Sequence, residues 1–413
     1  MKIAMLGFGN IGAGFYKEIS SNYKDIEIVR VLVRDIKKTR QIGPDKLTLD
    51  YERILNDPEI TAVVDVTAGQ ASVKLIIDAL NASKSVVTAN KMAVALAGGE
   101  FLDIARAKGV NFYFEAAVGG GMPVIDLFNE SVRPHRIDKV IGILNGTTNY
   151  ILTKMSCDGL DFVQALKLAQ DKGFAEPDPS FDLSGRDSAY KITILKDLLF
   201  DYKCGAEDIF CQGIDKISKI DLDYAASIDY RIKLTGYINN FSSGIDIGVR
   251  PIFLPASHPL AQVNNEYNAI YIEGSPMGEI MLYGRGAGAG PTASSLIGDL
   301  LRIKRDGPRG FNRAYARNAD KKSAMPPEMK SQSNYFRFNV LDVPGVISKI
   351  TAIFEKYNIS ISSMKQDISN SNEPAAVIFT THESKSSKIP SMIEEIKRNK
   401  FIINEPVWYK IGI

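Results

Sequence analysis

The sequence predicts an α/β chain of three folded parts, and three observations support this prediction. Short apolar strands alternate with helical patterns over residues 1–135. Strand candidates then follow one another directly over residues 229–284, and the segment after residue 333 has the order βαββαβ. With 413 residues and 45% hydrophobic content, the chain is long enough for two or three separate cores.

The first part, residues 1–135, has the pattern of a sheet covered by helices. Its strand candidates are KIAMLG, EIVRVLV, AVVDVT, SVVTAN and NFYFEA. Apolar residues at helical spacing occur between them at 11–21, 71–82 and 99–108. Because strands that alternate with helices are joined by crossovers, we expect a mostly parallel sheet.

The second part, residues 136–289, has an α+β pattern. It begins with the strand RIDKVIGIL and continues with helical stretches at 148–157, 161–171 and 185–200. It ends with the strand candidates DYRIKLTGYI, IDIGVRPIFL, NAIYIEG and EIMLYG. Strands without helices between them favour an antiparallel sheet.

A basic, polar segment over residues 302–333 precedes the third part. It contains a Pro-Pro pair and few aliphatic side chains, and we place the linker itself at 307–332. Residues 333–413 then give strand, helix, strand, strand, helix and strand. This is the order of a ferredoxin-like module.

Composition and charge exclude several classes of protein. Fifty basic and forty-eight acidic residues leave a net charge of +2, which gives no electrostatic reason to expect a nucleic acid or a membrane as partner. No apolar run is long enough to span a membrane, and MKIAMLGFGN has the pattern of a first strand and not of a signal peptide. Three cysteines without a C-x-x-C pair fit a reducing, cytoplasmic location.

A glycine-rich turn follows the first strand. Gly7, Gly9 and Gly12 have the spacing G-x-G-x-x-G and precede a helical pattern. Glycines at these places allow a tight turn, close approach of the backbone to a pyrophosphate and close helix packing. The N-terminus of the following helix stabilises phosphate charge, so we expect a dinucleotide site in a Rossmann-type domain.

The end of the second strand bears on the choice of cofactor. Arg34 stands where an NAD enzyme usually offers an acid to the ribose hydroxyls. An arginine there can pair with a 2′-phosphate, which favours NADP(H). Asp35 follows directly and keeps NAD(H) possible.

Thr67 in TAGQ and Lys91 in VVTANK also lie at the carboxyl ends of predicted parallel strands, where such sheets bind ligands.

The charged stretch GFAEPDPSFDLSGRDSAYK, residues 173–191, has three interpretations: a solvated loop, a metal loop or a seat for a zwitterionic substrate. A calcium loop starting at Asp178 would need glycine and acid at positions that hold Leu183 and Ala189, so the calcium interpretation fails. Asp187 and Lys191 are four residues apart and share a helix face. Asp187 could alternatively be half of a capping box with Ser184.

Together these motifs resemble homoserine dehydrogenase. NGTTNYIL, GFAEPDPSFDLSGRDSAYKITIL, VTANK and EAAVGGGMPVI match that family in order through the first three hundred residues, and VLDVPGVISKITAIFEKYNISI resembles the ACT domain that many members append. The resemblance implies a Rossmann-type dinucleotide-binding domain, completed by a helix at about 290–306, and a substrate and dimerisation domain. It implies reversible reduction of L-aspartate 4-semialdehyde to L-homoserine, in threonine, methionine and isoleucine biosynthesis.

The resemblance also implies roles for individual residues. Lys191 becomes the proton donor and Lys91 its partner near the nicotinamide, with a lysine pKa lowered by the second cation. The substrate-side residues are Glu176, Asp182, Asp187, Gly146 and Thr147. The cofactor residues are Gly7, Phe8, Gly9, Asn10, Ile11, Gly12, Arg34, Thr67, Lys91 and Gly290. A sodium ion is expected on main-chain oxygens of Glu115, Val118, Gly120 and Met122.

Regulation and assembly are expected on the same basis. The ACT module would bind a pathway amino acid, threonine, at the DVPGV turn between paired copies of the module, or would serve in dimerisation without a ligand. The protein would be a homodimer or homotetramer. Two rival functions are a non-catalytic amino-acid sensor and another dehydrogenase of the same fold, such as an aspartate-type enzyme. Lys91, Glu176, Asp187 and Lys191 together disfavour the first, and NGTTNYIL and EPDP disfavour the second.

Overall fold

The computed structural model describes residues 1–307, 323–326, 329–367 and 375–412. It has two sheets, one in the N-terminal domain and one shared by the second domain and the C-terminal module. None of the described helices is long and apolar enough to cross a membrane.

The N-terminal sheet is parallel and has the strand order β3-β2-β1-β4-β5-β6. Its strands are β1 (Lys2–Leu6), β2 (Glu27–Leu32), β3 (Leu47–Thr48), β4 (Ile60–Asp65), β5 (Ser85–Thr88) and β6 (Phe112–Tyr113). Its helices are α1 (Asn10–Asn22), α2 (Glu52–Leu55), α3 (Ser72–Asn81) and α4 (Lys91–Lys108). This is the Rossmann order, and it confirms the predicted fold. Helix α4 begins at Lys91, well before the predicted 99.

The second domain has an antiparallel sheet flanked by helices. Its strands are β7 (Arg136–Ile143), β8 (Phe210–Cys211), β9 (Tyr230–Phe241), β10 (Gly244–Pro255), β11 (Tyr267–Ser275) and β12 (Gly278–Arg285). The helices that follow α4 in the chain are α5 (Val124–Asp126), α6 (Gly146–Cys157), α7 (Phe162–Asp171), α8 (Ser180–Leu183), α9 (Arg186–Leu199), α10 (Lys219–Ser227) and α11 (Ala289–Asp306). A π-helical segment, Leu127–Val132, continues α5.

Helix α11 returns to the N-terminal domain. Its apolar side chains Leu296 and Leu300 share a core with Phe15 and Ile19 of α1. A Cβ atom on Gly14 would lie 3.0 Å from Ala289 Cβ, so the two helices pack closely. The segment predicted at about 290–306 therefore covers the Rossmann sheet.

The C-terminal module is ferredoxin-like, as predicted. It consists of β13 (Ser331–Val340), α12 (Val346–Lys356), β14 (Ile361–Asp367), β15 (Ala375–Thr381), β16 (Ser384–Lys385), α13 (Ile389–Lys397) and β17 (Val407–Ile411). The linker predicted at 307–332 starts where α11 ends, at Asp306, but its end was placed two residues too late, because β13 begins at Ser331.

The module joins the second domain through its last strand. β17 pairs with β13 on one side and, in parallel, with β10 on the other. The sheet path is therefore continuous in the order β12-β11-β7-β9-β10-β17-β13-β15-β14. A buried polar cluster supports the junction, since Arg337 and Tyr335 both donate to the Asp221 carboxylate.

Candidate active site

Helix α9 carries the centre of the site, and its first turn explains why. Gly185, with φ of 83°, occupies the N-cap position, and its left-handed conformation suits glycine. The predicted capping box of Ser184 and Asp187 is therefore wrong. Asp187 is free to point inward, and Lys191 follows it by one helical turn on the same face.

The Asp187 carboxylate bridges two lysines. Lys191 Nζ donates to Asp187 Oδ2 at 2.7 Å and to the carbonyl oxygen of Leu144 at 2.7 Å. Lys91 Nζ lies 3.0 Å from Asp187 Oδ1. Burial opposes ionisation of Asp187, but the ammonium groups of Lys191 and Lys91 outweigh burial and lower its pKa. Asp187 is therefore a buried anion between two cations.

Lys91 is the first residue of helix α4. Asn90 caps this helix, because its Oδ1 accepts from the backbone N–H groups of Met92 and Ala93. A lysine at a helix N-terminus is unfavourable, and the Asp187 carboxylate offsets this cost. The charge of Asp187 raises the pKa of Lys91, although burial acts in the opposite sense. Lys91, the cation that was expected to act on Lys191, therefore faces a carboxylate, and its side chain is about one-third exposed.

Asn145 belongs to the same cluster, and sequence reasoning missed it. Its Nδ2 donates to Asp182 Oδ1 at 2.7 Å and to Asp187 Oδ2 at 2.9 Å. Its Oδ1 accepts from the backbone N–H of Thr148 at 2.9 Å, which caps helix α6. An asparagine directly before a helix was the available signal, but it indicates a cap and not a site.

The other residues predicted on the substrate side have different surroundings. Asp182 lies on α8, and burial together with Asp187 raises its pKa. Thr147 donates its hydroxyl to the carbonyl oxygen of Phe174 at 2.6 Å. Gly146 packs against Glu266, whose carbonyl oxygen would lie 2.6 Å from an added Cβ. Glu176 is exposed, and its charge still contributes to raising the pKa of Lys91.

The glycine-rich turn lies between β1 and α1. Gly7 has φ of 91°, and its N–H donates to Leu32 O at 2.9 Å, which ties the turn to β2. A Cβ on Gly12 would contact Gly7 O and Val66 at 3.2 Å, whereas a Cβ on Gly9 would meet no atom within 4 Å. Gly9 therefore leaves open space above the N-terminus of α1. Three further predicted residues, Phe8, Asn10 and Ile11, lie in the same turn and first helical residues.

The remaining predicted cofactor residues surround this turn. Arg34 is exposed and follows β2. Thr67 donates its hydroxyl to Asp65 Oδ1 at 2.6 Å and packs beneath Gly7. Gly290, in the first turn of α11, would place a Cβ in open space.

The predicted sodium loop is kinked by Gly119 and Gly120, which both have positive φ. Gly120 O accepts from the Ser295 hydroxyl at 2.6 Å, and Met122 O accepts from Val124 N at 2.8 Å, so each oxygen retains one lone pair. Burial, together with Asp126 and Asp299, raises the pKa of the Glu115 carboxyl to about 9.

The described residues contain no cluster of side chains suited to a metal ion. In those residues, no group of three or more His, Cys, Asp or Glu is arranged to hold a metal ion. The predicted sodium site consists of main-chain oxygens, so this finding about side chains does not bear on it.

Comparison with known proteins identifies the family. Family models described as the NAD binding domain of homoserine dehydrogenase, homoserine dehydrogenase, and the ACT domain match residues 7–115, 123–301 and 335–401. The homoserine dehydrogenase of Synechocystis sp. is 36% identical over 426 residues, covering 96% of each chain. The chain belongs to the homoserine dehydrogenase family. The Bacillus subtilis member is 35% identical over 410 residues, covering 96% of this chain and 94% of that one.

Solved structures agree with this membership of the homoserine dehydrogenase family. The homoserine dehydrogenase of Thiobacillus denitrificans has a TM-score of 0.88 at 32% identity, covering 100% of this chain and 98% of that chain. A hyperthermophilic archaeal homoserine dehydrogenase in complex with NADPH has a TM-score of 0.64 at 25% identity, covering 74% and 98%. The chain is therefore an NAD(P)-dependent oxidoreductase of amino-acid biosynthesis that interconverts L-aspartate 4-semialdehyde and L-homoserine.

Proposed function

We propose that Lys191 is the proton donor in this reaction and that Lys91 assists it beside the nicotinamide. The supporting observation is the Asp187 carboxylate, which holds both ammonium groups at 2.7 and 3.0 Å. When the aldehyde carbon accepts hydride from the bound cofactor, its oxygen gains negative charge. A lysine stabilises that charge and supplies the proton that completes the alcohol.

The carboxylates would hold the substrate's ammonium group. Asp182 borders the lysine pair, and Glu176 lies on the preceding exposed segment. Their charges suit the amino group of homoserine. Gly146 and Thr147 would line the same pocket, at the N-terminus of α6, where backbone N–H groups suit a carboxylate.

We propose NADP(H) as the preferred cofactor, with NAD(H) as the alternative. Arg34 is exposed at the end of β2, so it is available to a 2′-phosphate. Asp35 Oδ1 accepts from Lys37 N at 2.8 Å, which occupies one of its oxygens within its own turn. The glycine turn would bind the pyrophosphate, and Thr67 and Gly290 would border the dinucleotide.

A sodium ion fits the kinked loop. The main-chain oxygens of Glu115, Val118, Gly120 and Met122 would hold it, since a hard cation prefers oxygen ligands. The ion would stabilise the loop that packs against the Gly286 backbone.

Domain organisation, assembly and location complete the proposal. The dinucleotide-binding domain is 1–135 with α11, the substrate and dimerisation domain is 136–289, and the ACT domain is 333–413. β12 ends the sheet path, and among the described residues its outer edge pairs with no other strand, so it can meet a second copy, which supports a homodimer or homotetramer. The free cysteines Cys157, Cys204 and Cys211 support a reducing cytoplasm.

We propose threonine as the effector of the ACT domain. A pocket of about 320 Å³ lies at the turn before α12, and Asp342, Pro344, Gly345 and Gln366 are among the residues that line it. Gln366 donates to Asp342 Oδ1 at 3.2 Å, and Gly345 begins α12 with φ of 88°. Free backbone N–H groups at this helix start suit an amino acid's carboxylate.

The deciding experiment is the Lys191→Ala variant assayed with homoserine and NADP or NAD. We expect turnover to fall at least about a hundredfold, because a positioned acid-base group is lost, while cofactor binding stays near the parent value. Lys167→Ala, which removes an exposed lysine on α7, is the control and should leave turnover unchanged. Turnover of Lys191→Ala within a few-fold of the parent would exclude the assignment.

A further inference from the structure

One buried amide group joins the two acids on the substrate side of the site. Asn145 is 5% exposed, and its two Nδ2 hydrogens are used on Asp182 and Asp187, at 2.7 and 2.9 Å. These acids lie on different helices, α8 and α9. Its Oδ1 is used as well, since it accepts from Thr148 N and lies 3.1 Å from the Thr148 hydroxyl. Both N–H donors and the oxygen acceptor of the Asn145 amide therefore take part in hydrogen bonds.

The Asn145 amide donates a hydrogen bond to both Asp182 and Asp187, whereas ionised carboxylates can only accept. Two carboxylates that approach one another repel, and Asp187 contributes to raising the pKa of Asp182. An amide that donates to both holds them at fixed positions without adding charge. Because Asp187 Oδ2 also accepts from Lys191 Nζ, the position of the amide affects the orientation of that lysine.

We propose that Asn145 is a positioning residue for the reaction, which holds Asp182 and Asp187 in register and through Asp187 orients Lys191. This inference rests on the proposed roles of those residues. Asn145 does not touch the reacting atoms. Its effect is on geometry, and small displacements of catalytic groups are costly to turnover.

The Asn145→Asp variant tests the donor role directly. Asp is nearly the same size and still caps α6, but it places a carboxylate oxygen against two carboxylates. The charged groups facing it are Asp182 from α8, Asp187 and Lys191 from α9, Lys91 from α4, and Glu176 from the loop before α8. As pH rises and the new acid ionises, repulsion from Asp182 and Asp187 increases.

We expect kcat/KM for homoserine to fall by at least about tenfold in Asn145→Asp, and the ratio of parent to variant to increase with pH. Asn145→Ser keeps a favoured cap and removes both amide donors, and its shorter hydroxyl can donate to at most one of the two carboxylates, so it should lose kcat/KM by a similar factor at every pH. KM for NADP should stay within about twofold in both variants.

The control is Asp161→Ala, which removes the cap of α7 and lies outside the site. We expect it to lower Tm while kcat/KM stays within about twofold of the parent. The Asn145 proposal is excluded if both Asn145 variants retain parent kcat/KM. It is also excluded if their losses match a lowered Tm and the ratio of parent to Asn145→Asp is independent of pH. Turnover of Lys191→Ala within a few-fold of the parent would instead contradict the proposed role of Lys191, on which this inference rests.

Discussion

At the scale of single residues, the site depends on one buried carboxylate. Asp187 is almost fully buried and yet ionised, because Lys191, Lys91 and Asn145 all donate to it. Without it, two ammonium groups would face each other and Lys91 would stand uncompensated at the N-terminus of α4. Asp187 of the 173–191 stretch thus holds both lysines in place.

Arg34 supplies the first prediction at this scale. The Arg34→Gln variant should raise KM for NADP by about tenfold or more and change KM for NAD by less than about twofold, because only NADP carries a 2′-phosphate. Steady-state kinetics with both cofactors measure this. Lys37→Gln, a neighbouring substitution on the same exposed turn, is the matched control. Equal changes for NADP and NAD in Arg34→Gln would remove Arg34 from cofactor recognition.

Residue pairs close in sequence were predictable, and distant ones were not. Asp187 and Lys191 share a face at helical spacing, so their contact follows from the sequence. The contacts of Asp187 with Lys91 and with Asn145 join separate helices, and no local pattern encodes them. Ser184 had the sequence of an N-cap, but Gly185 takes that place because it adopts positive φ easily.

At the scale of elements, the strands of the N-terminal sheet were predictable because they are continuous apolar runs. β1, β4 and β5 are almost entirely buried, as expected for parallel strands covered on both faces. β3 was missed because it has two residues and no such run. The early start of α4 was missed because Asn90 and Lys91 continue directly from a strand.

Two substitutions in the glycine-rich turn are expected to affect different properties, one the stability of the fold and the other the binding of the cofactor. Gly7 has positive φ and a Cβ would lie 3.2 Å from Thr67 Cγ2, so Gly7→Ala should lower the free energy of unfolding by about 1–2 kcal/mol. Gly9 has negative φ and open space, and serine is a favoured N-cap. Gly9→Ser should therefore keep stability near the parent value while KM for NADP rises at least about tenfold.

Urea unfolding and cofactor titration measure these two quantities separately. If Gly9→Ser bound NADP as the parent does, the open space above α1 would not be the pyrophosphate site. If Gly7→Ala were as stable as the parent, the positive φ of Gly7 would carry no strain for alanine.

At the scale of the whole molecule, the ACT module is attached by direct packing as well as by the linker. The main-chain pairing of β17 with β10 is reinforced by Arg337 and Tyr335 on Asp221, and by an ion pair of Lys216 with Glu405. Asp221 also accepts from Ser218 N and so caps α10. A conformational change in the ACT module can therefore be transmitted to the second domain through these contacts, which no sequence pattern showed.

The buried pair of Arg337 and Asp221 carries the last prediction. Asp221 is 0% exposed and Arg337 is 7% exposed, so Arg337→Met would leave a buried carboxylate without its cation. We expect the free energy of unfolding to fall by about 3–5 kcal/mol, measured by urea denaturation. Adding Asp221→Asn removes the unpaired charge while an amide oxygen still accepts from Tyr335, so the double variant should recover part of the loss. Unfolding of Arg337→Met at the parent urea concentration would show that this pair does not stabilise the junction.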